Sequence, residues 1–163
     1  VPVRLKAANP NKPVHVKLRV DFGVCSDICV PASENISAKL DSGHAEQEAK
    51  IIRTALESRA KTGPEGGVLS ATCAFIPRGD GIGLEAKLAY KTAPPAIAIV
   101  AMEYPSEDIW IDETEVSRSK SGLTLKSGVE FYGEGAMFLN RDDIIITVFS
   151  EEARAVEVRG CAD

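Results

Sequence analysis

The sequence lacks a long hydrophobic run and an excess of positive charge. Its longest uninterrupted apolar stretch, residues 96–102, falls far short of the ~20 residues that a membrane-spanning helix needs. We therefore expect a soluble domain, with any membrane attachment lying outside this sequence. The 163 residues carry 19 Lys and Arg against 24 Asp and Glu, a net charge of −5. This balance excludes a generic nucleic-acid binder, which presents a basic surface.

Motifs of nucleophilic and metal-dependent hydrolysis are also lacking. The sequence has no G-x-S-x-G and no H-E-x-x-H, so it gives no support for a serine hydrolase or a zinc peptidase. Its one tryptophan, Trp110, lies between two isoleucines and is most simply an anchor in the core or at a sheet edge. A peptide-binding role for Trp110, Tyr104 or Tyr132 stays open as an alternative.

Four cysteines are the most informative residues of the chain, and two of them form a C-x3-C pair, Cys25 and Cys29. Zinc would need two further ligands, for which only His15 and His44 are present. A disulfide across so short a loop restrains the unfolded chain little and is often easily reduced. The spacing therefore leaves two main interpretations open, a redox-active pair and a bond that stiffens a turn, with zinc as a third.

The other two cysteines, Cys73 and Cys161, are far apart in the sequence. Cys73 lies in an apolar strand-like run, and Cys161 follows the last predicted strand. A bond between them would close a long loop and stabilise the fold by a few kcal/mol in the chain-entropy model. We favour a structural disulfide, the alternative being one buried and one terminal free thiol.

Alternating apolar and polar residues predict strands along most of the chain. The clearest alternation spans residues 14–22, whereas residues 45–61 have the apolar spacing of a single helix. The remaining predicted strands are residues 1–7, 35–40, 68–76, 82–90, 97–102, 109–111, 114–117, 123–126, 129–132, 144–149 and 153–158. Many short strands separated by turn residues predict a mainly β protein, with immunoglobulin-like β-sandwiches and one connecting α-helix.

The helix marks the predicted domain boundary. Residues 1–43 hold too few strands for a two-sheet core, so we expect them to be the C-terminal strands of a first, incomplete immunoglobulin-like domain that carries the C-x3-C motif. Residues 44–63 form the helix and linker. Residues 64–163 have the length of a second immunoglobulin-like sandwich.

The run FGVCSDICVPA at residues 22–32 resembles the cysteine motif of the DsbD N-terminal domain family, whose members take part in thiol:disulfide interchange. In that family an aromatic residue precedes a cysteine, a spacer with an acidic residue, a second cysteine and a proline. The three-residue spacer is most similar to the ScsB-like branch. The matching residues are Phe22, Cys25, Asp27, Cys29 and Pro31. Residues 1–5, 46–59 and 154–157 are also similar to family elements.

The resemblance implies an immunoglobulin-like fold in the bacterial periplasm and an oxidoreductase component that needs no cofactor. Cys25 and Cys29 would alternate between dithiol and disulfide, with Cys25 as the attacking thiol. Electrons would come from a membrane-embedded reductase outside this chain through a thioredoxin-like domain and leave to periplasmic client proteins. The alternative is a non-catalytic immunoglobulin-like binding module with two structural disulfides. A sheet edge left open in the first domain would also permit a strand-exchanged homodimer.

Overall fold

The computed structural model describes residues 3, 5–9, 12–40, 46–79, 81–96, 99–151 and 154–162, without the side chains of residues 25 and 46–48. The chain divides into two compact units, Val1–Glu57 and Ser58–Asp163. Within the described residues, no helix combines the length and the apolar character needed to cross a bilayer.

The first unit contains a long β-hairpin and one helix. Strands β1 (Val14–Cys25) and β2 (Cys29–Leu40) pair antiparallel along their whole length. The alternation that predicts β1 is matched across the hairpin, because Leu18 lies opposite Ile36 and Val24 lies opposite Val30. Apolar residues therefore share one face of the hairpin, as period-two alternation requires.

The predicted helix is present but shorter than expected. Helix α1 spans Glu46–Glu57, whereas the prediction runs to residue 61; its first residue, Ala45, lies outside the described part. Arg59 follows the helix, and its guanidinium binds Glu65. Lys61 lies instead in strand β3 (Lys61–Thr62), which pairs with a distant strand. Tertiary pairing thus overrides helix propensity here.

The strand predicted for residues 1–7 is wrong where it can be assessed. Val3 and residues 5–7 are irregular, and Val1, Pro2 and Arg4 lie outside the described residues. The similarity of residues 1–5 to a family strand likewise finds no strand at Val3 or Leu5, the two of these residues that are described. Short alternating runs make strands only when a neighbouring strand binds their backbone groups.

The second unit has two β-sheets. One sheet has the order β3, β11 (Val156–Arg159), β10 (Ile145–Phe149), β6 (Ile99–Glu103), with β3 parallel to β11 and the others antiparallel. The other has the order β4 (Val68–Arg78), β5 (Gly81–Tyr90), β9 (Gly122–Phe131), β7 (Ile109–Ile111), with β8 (Glu115–Arg118) also paired to β9. The fold is thus mainly β with one α-helix, as predicted.

The core of the second unit is formed by alternate residues of these strands. In β5, Leu84 and Leu88 are 1% exposed while Lys87 between them faces solvent. Leu125 of β9 and Ile146 of β10 are equally buried. Every buried hydrophobic residue in the described part of the chain lies between Val68 and Cys161. The core therefore belongs to the second unit, where it resembles that of an immunoglobulin-like sandwich.

Two predicted strands, residues 123–126 and 129–132, form the single strand β9. The first prediction ends at Lys126 and the second begins at Val129, on either side of Ser127 and Gly128. In the structure Ser127 is buried and its hydroxyl is 3.1 Å from Thr114 Oγ1. Gly128 lies beneath the side chain of Asp112. Tertiary contacts that the local sequence does not display keep the strand continuous.

Candidate functional site

The C-x3-C motif occupies the closed end of the hairpin. Cys25 and Cys29 are the last Cα partners in the register of β1 and β2. Ser26, Asp27 and Ile28 form the connecting loop, which is closed by a hydrogen bond from Ser26 N to Ile28 O of 3.1 Å. Long antiparallel pairing thus sets the backbones of Cys25 and Cys29 opposite each other.

Cys29 is exposed and disulfide-bonded. Its neighbour Ile28 is 75% exposed, and Asp27 is also at the surface. The side chain of Cys25 lies outside the described residues. Because a thiolate must reach a disulfide sulfur to exchange with it, the exposure of Cys29 meets the first steric requirement for exchange chemistry.

The other motif residues lie on both faces of the hairpin. Phe22 is opposite Ala32 and is 44% exposed. Pro31 is opposite Gly23, on the face to which Cys29 belongs by period-two alternation. Phe22 belongs to the other face, so it does not cover the Cys29 sulfur.

A hydrogen-bonded group lies on the Cys29 face of the hairpin. Asp21 Oδ1 accepts hydrogen bonds from Arg19 Nε at 3.1 Å and from the Ser33 hydroxyl. Because Asp21 is paired with Arg19, Asp27 is the carboxylate between Cys25 and Cys29 whose charge bears on their thiols. Carboxylates disfavour a neighbouring thiolate, so the local sequence does not activate a free thiol.

Metal ligation is not supported by the described part of the chain. No group of three or more His, Cys, Asp or Glu side chains there is arranged to hold a metal ion. Cys29 is in a disulfide, which removes the thiolate that zinc requires. His44, a ligand considered for zinc, lies outside the described residues.

The second cysteine pair has a different environment. Cys73 and Cys161 are bonded, with Cα atoms 5.6 Å apart and exposed fractions of 3% and 8%. Cys73 N donates to Ala162 O, and Ala162 N donates to Ala71 O, both at 2.9 Å. The segment after β11 thereby pairs with β4 of the opposite sheet. This burial is typical of a structural bond.

An acidic group that no sequence motif marks lies around Trp110. Trp110 lies on edge strand β7 and is 61% exposed, so it is an edge residue and not a core one. It is opposite Glu130, and Tyr132 nearby is 70% exposed. Tyr104, by contrast, is half-buried and its hydroxyl accepts from Asn140 N at 3.1 Å. The available sequence signal was that Asp108, Trp110 and Asp112 alternate with two isoleucines, which places the three on one face of a strand.

The architecture is that of an immunoglobulin-like β-sandwich. One solved structure similar to this chain is the N-terminal periplasmic domain of ScsB from Proteus mirabilis, with a TM-score of 0.63 and 12% sequence identity. The similarity covers 91% of this chain and 58% of that one, so the chain spans somewhat more than half the length of that domain. No family model and no curated protein matches the sequence. At this identity, the likeness concerns the fold alone.

Proposed function

We propose that this chain is a thiol:disulfide exchange domain in which Cys25 and Cys29 cycle between a disulfide and a dithiol. The observation that carries the proposal is the hairpin end, where the two cysteines are register partners and Cys29 is both exposed and oxidised. In this proposal the partner of Cys29 is Cys25, because Cys73 and Cys161 are bonded to each other. The likeness to a periplasmic ScsB domain supports the periplasm as the compartment.

The exchange consists of two thiol–disulfide steps. A thiolate of a reduced thioredoxin-like partner attacks one sulfur of the Cys25–Cys29 bond, forming a mixed disulfide and releasing the other cysteine as a thiolate. The partner's second thiolate then attacks the mixed disulfide, so the partner leaves oxidised and this chain leaves with two thiols. Two electrons and, at neutral pH, two protons pass to this chain.

Delivery to a client protein reverses this sequence. The Cys25 thiolate attacks the client disulfide, and Cys29 resolves the mixed disulfide, which regenerates the Cys25–Cys29 bond and leaves two thiols on the client. Asp27 disfavours the attacking thiolate, so we expect slow reaction with small disulfides. In the reducing half of the cycle the thioredoxin-like partner supplies the attacking thiolate, so Asp27 acts there only on the leaving sulfur.

The decisive experiment is a redox titration of the full chain. The protein is equilibrated in graded thiol–disulfide buffers, and its free thiols are alkylated. Mass spectrometry of the tryptic peptides then gives the reduced fraction of each cysteine pair. Trypsin releases residues 20–39 with both hairpin cysteines in one peptide, separate from Cys73 and Cys161. We expect a midpoint well above about −300 mV for the hairpin pair, with the fold retained by circular dichroism.

Two double variants provide matched controls. Cys25→Ser with Cys29→Ser should abolish disulfide transfer to a reduced thioredoxin, and Cys73→Ala with Cys161→Ala should retain it. A hairpin pair that is reduced only below that range, or only on unfolding, would overturn the relay. That result would favour the non-catalytic binding module with two structural disulfides.

A further inference from the structure

An exposed surface at the edge of the larger sheet combines two aromatic rings with three carboxylates. We name it the aromatic–acidic patch; it comprises Asp108, Trp110, Asp112, Glu130 and Tyr132. It belongs to the second unit, away in sequence from the hairpin cysteines. Neither the core nor the exchange chemistry proposed above uses these residues.

Strand pairing brings the five residues together. Trp110 of β7 is the Cα partner of Glu130 of β9, and Tyr132 follows two positions later on the same side of the chain. Tyr132 N donates to Asp108 O at 2.8 Å, and Asp112 N donates to Gly128 O at 3.1 Å. These backbone bonds fix both aspartates beside the tryptophan, one at each end of the strand.

The side chains of these residues lie on the outer face of the sheet. A Cβ atom at Gly128, an outward-facing position of β9, would contact the Asp112 carboxylate. Asp108 is exposed, and its carboxyl carbon would lie 3.1 Å from a Cβ at Gly133, beyond the end of β9. The exposed fractions of Trp110 and Tyr132 are 61% and 70%. Large exposed aromatic side chains are typical of residues that contribute most to protein interfaces.

The carboxylates of the patch differ from their neighbours on the same sheet. Glu85 pairs with Lys87 and Lys126, and Glu115 pairs with Arg78. Among the described residues, none of the three patch carboxylates forms an ion pair. Arg78 lies at the Asp112 end of the patch but is bound to Glu115 at 3.1 Å. The patch is therefore a local excess of negative charge.

The pKa of Tyr132 is consistent with this excess of negative charge. Its hydroxyl donates to Glu130, and this hydrogen bond, with desolvation and the charges of Glu130 and Asp112, raises the pKa of Tyr132 above its usual value. An anionic partner would meet repulsion at this surface. A purely apolar partner would have to desolvate carboxylates without compensation. A cationic group can pair with the carboxylates and also stack on the faces of the aromatic rings.

We propose that the aromatic–acidic patch is a docking surface for a basic, arginine- or lysine-bearing segment of a partner protein. A cationic side chain of the segment stacks on Trp110 or Tyr132, while neighbouring cationic groups pair with Asp108, Asp112 and Glu130. The proposal is independent of the exchange chemistry, because it uses no cysteine.

The test uses Trp110, the single tryptophan of the chain, as the reporter. The full chain is titrated with a peptide of alternating arginine and serine, with the same peptide carrying glutamate for arginine, and with an all-serine peptide. We expect a saturable change in tryptophan fluorescence with the arginine peptide alone, weakening as salt is raised. Asp112→Asn with Glu130→Gln should weaken binding by about tenfold, and Tyr132→Ala by a similar factor.

A matched variant separates docking at the patch from general attraction between opposite charges. Glu34→Gln with Glu151→Gln removes the same number of charges at exposed residues outside the patch, and should bind with unchanged affinity. Circular dichroism checks that each variant is folded. Equal weakening by both double variants, equal response to the serine peptide, or no response to the arginine peptide would overturn the proposal.

Discussion

At the scale of single residues, Glu65 shows how an exposed carboxylate can couple stability to pH. It accepts two hydrogen bonds from Arg59, at 2.9 and 3.0 Å, and one each from Thr62 N and Thr62 Oγ1, at 2.8 and 3.0 Å. The Arg59 hydrogen bond, followed by those of Thr62, lowers the pKa of Glu65 from 4.5 to about 2. Its charged form is thus favoured by folding.

The sign of the resulting pH dependence follows from linkage. Because the pKa is lower in the folded state, the stabilising contribution is fully present above pH 4.5 and is lost as pH falls towards 2. We expect Glu65→Gln to lower the free energy of unfolding at pH 7 and to match the parent protein near pH 2. Urea unfolding followed by Trp110 fluorescence measures this difference. A gap between the two proteins that does not change with pH would contradict the assignment, and Glu107→Gln serves as an exposed control.

Gly122 begins β9 where no side chain fits. A Cβ there would lie 2.5 Å from Leu88 O, a backbone atom that cannot move without disturbing the pairing of β5 with β9. We expect Gly122→Ala to lower the free energy of unfolding by about 1–3 kcal/mol. Gly81, which begins β5, has its nearest such contact at 3.7 Å, so Gly81→Ala should change stability by less than about 1 kcal/mol. Equal effects in urea unfolding would show that the close approach does not matter.

At the scale of elements, the alternation of apolar and polar residues predicts those strands whose pattern is contained in their own sequence. Period-two patterns and turn residues predict β5, β7 and residues 14–22 and 35–40 of the hairpin strands, and the structure confirms these. Strand β2 begins earlier than predicted, at Cys29. Strand β3 could not be predicted, since two residues carry no period and exist as a strand only through pairing with β11. The end of α1 and the continuity of β9 depend likewise on residues distant in sequence.

The candidate site was predictable to a similar extent. The C-x3-C spacing identifies a cysteine pair, and the structure adds that Cys25 and Cys29 are register partners. The bond between Cys73 and Cys161 is the one that the sequence favoured, although its contacts with β4 through Ala162 needed coordinates. The patch around Trp110 depends on which residues of β9 oppose β7, and register is set by the whole sheet.

The segment that follows β11 is held to β4 by the buried disulfide. The bond closes a loop with a sequence separation of 88, so the chain-entropy model gives a stabilisation of about 4.6 kcal/mol. We expect Cys73→Ala with Cys161→Ala to lower the free energy of unfolding of the second unit by about that amount, measured by urea unfolding with Trp110 as the probe. Cys25→Ser with Cys29→Ser, in the first unit, should leave this transition in place. The opposite ranking would contradict the structural role.

At the scale of the whole molecule, apolar burial is unevenly divided between the two units. In the described part of the chain, the buried hydrophobic residues lie in the second unit, while Leu18, Ile36 and Leu40 of the hairpin are 43–53% exposed. Burial of apolar surface is the main favourable term in folding. We therefore expect the second unit to provide the cooperative unfolding transition of this chain.

A pair of leucine variants tests where the core lies. Leu125 is fully buried, so Leu125→Ala should lower the free energy of unfolding by about 2–5 kcal/mol through lost contacts and a cavity. Leu69 of β4 is 67% exposed, and Leu69→Ala should cost less than about 1 kcal/mol. Thermal and urea unfolding of the full chain give both values. A similar cost for the two substitutions would be inconsistent with this core.

The wide separation of Cys73 and Cys161 also has a consequence in time. Because the chain is synthesised from its N-terminus, Cys25 and Cys29 are made almost together. Cys161, the partner of Cys73, is made 88 residues after it. At about 5–20 residues per second, that delay is roughly 4–18 s. We expect a Cys25–Cys29 bond formed during this interval to remove the two sulfurs with which Cys73 could mispair. The short spacing of the first pair would then favour correct pairing of the second during biosynthesis.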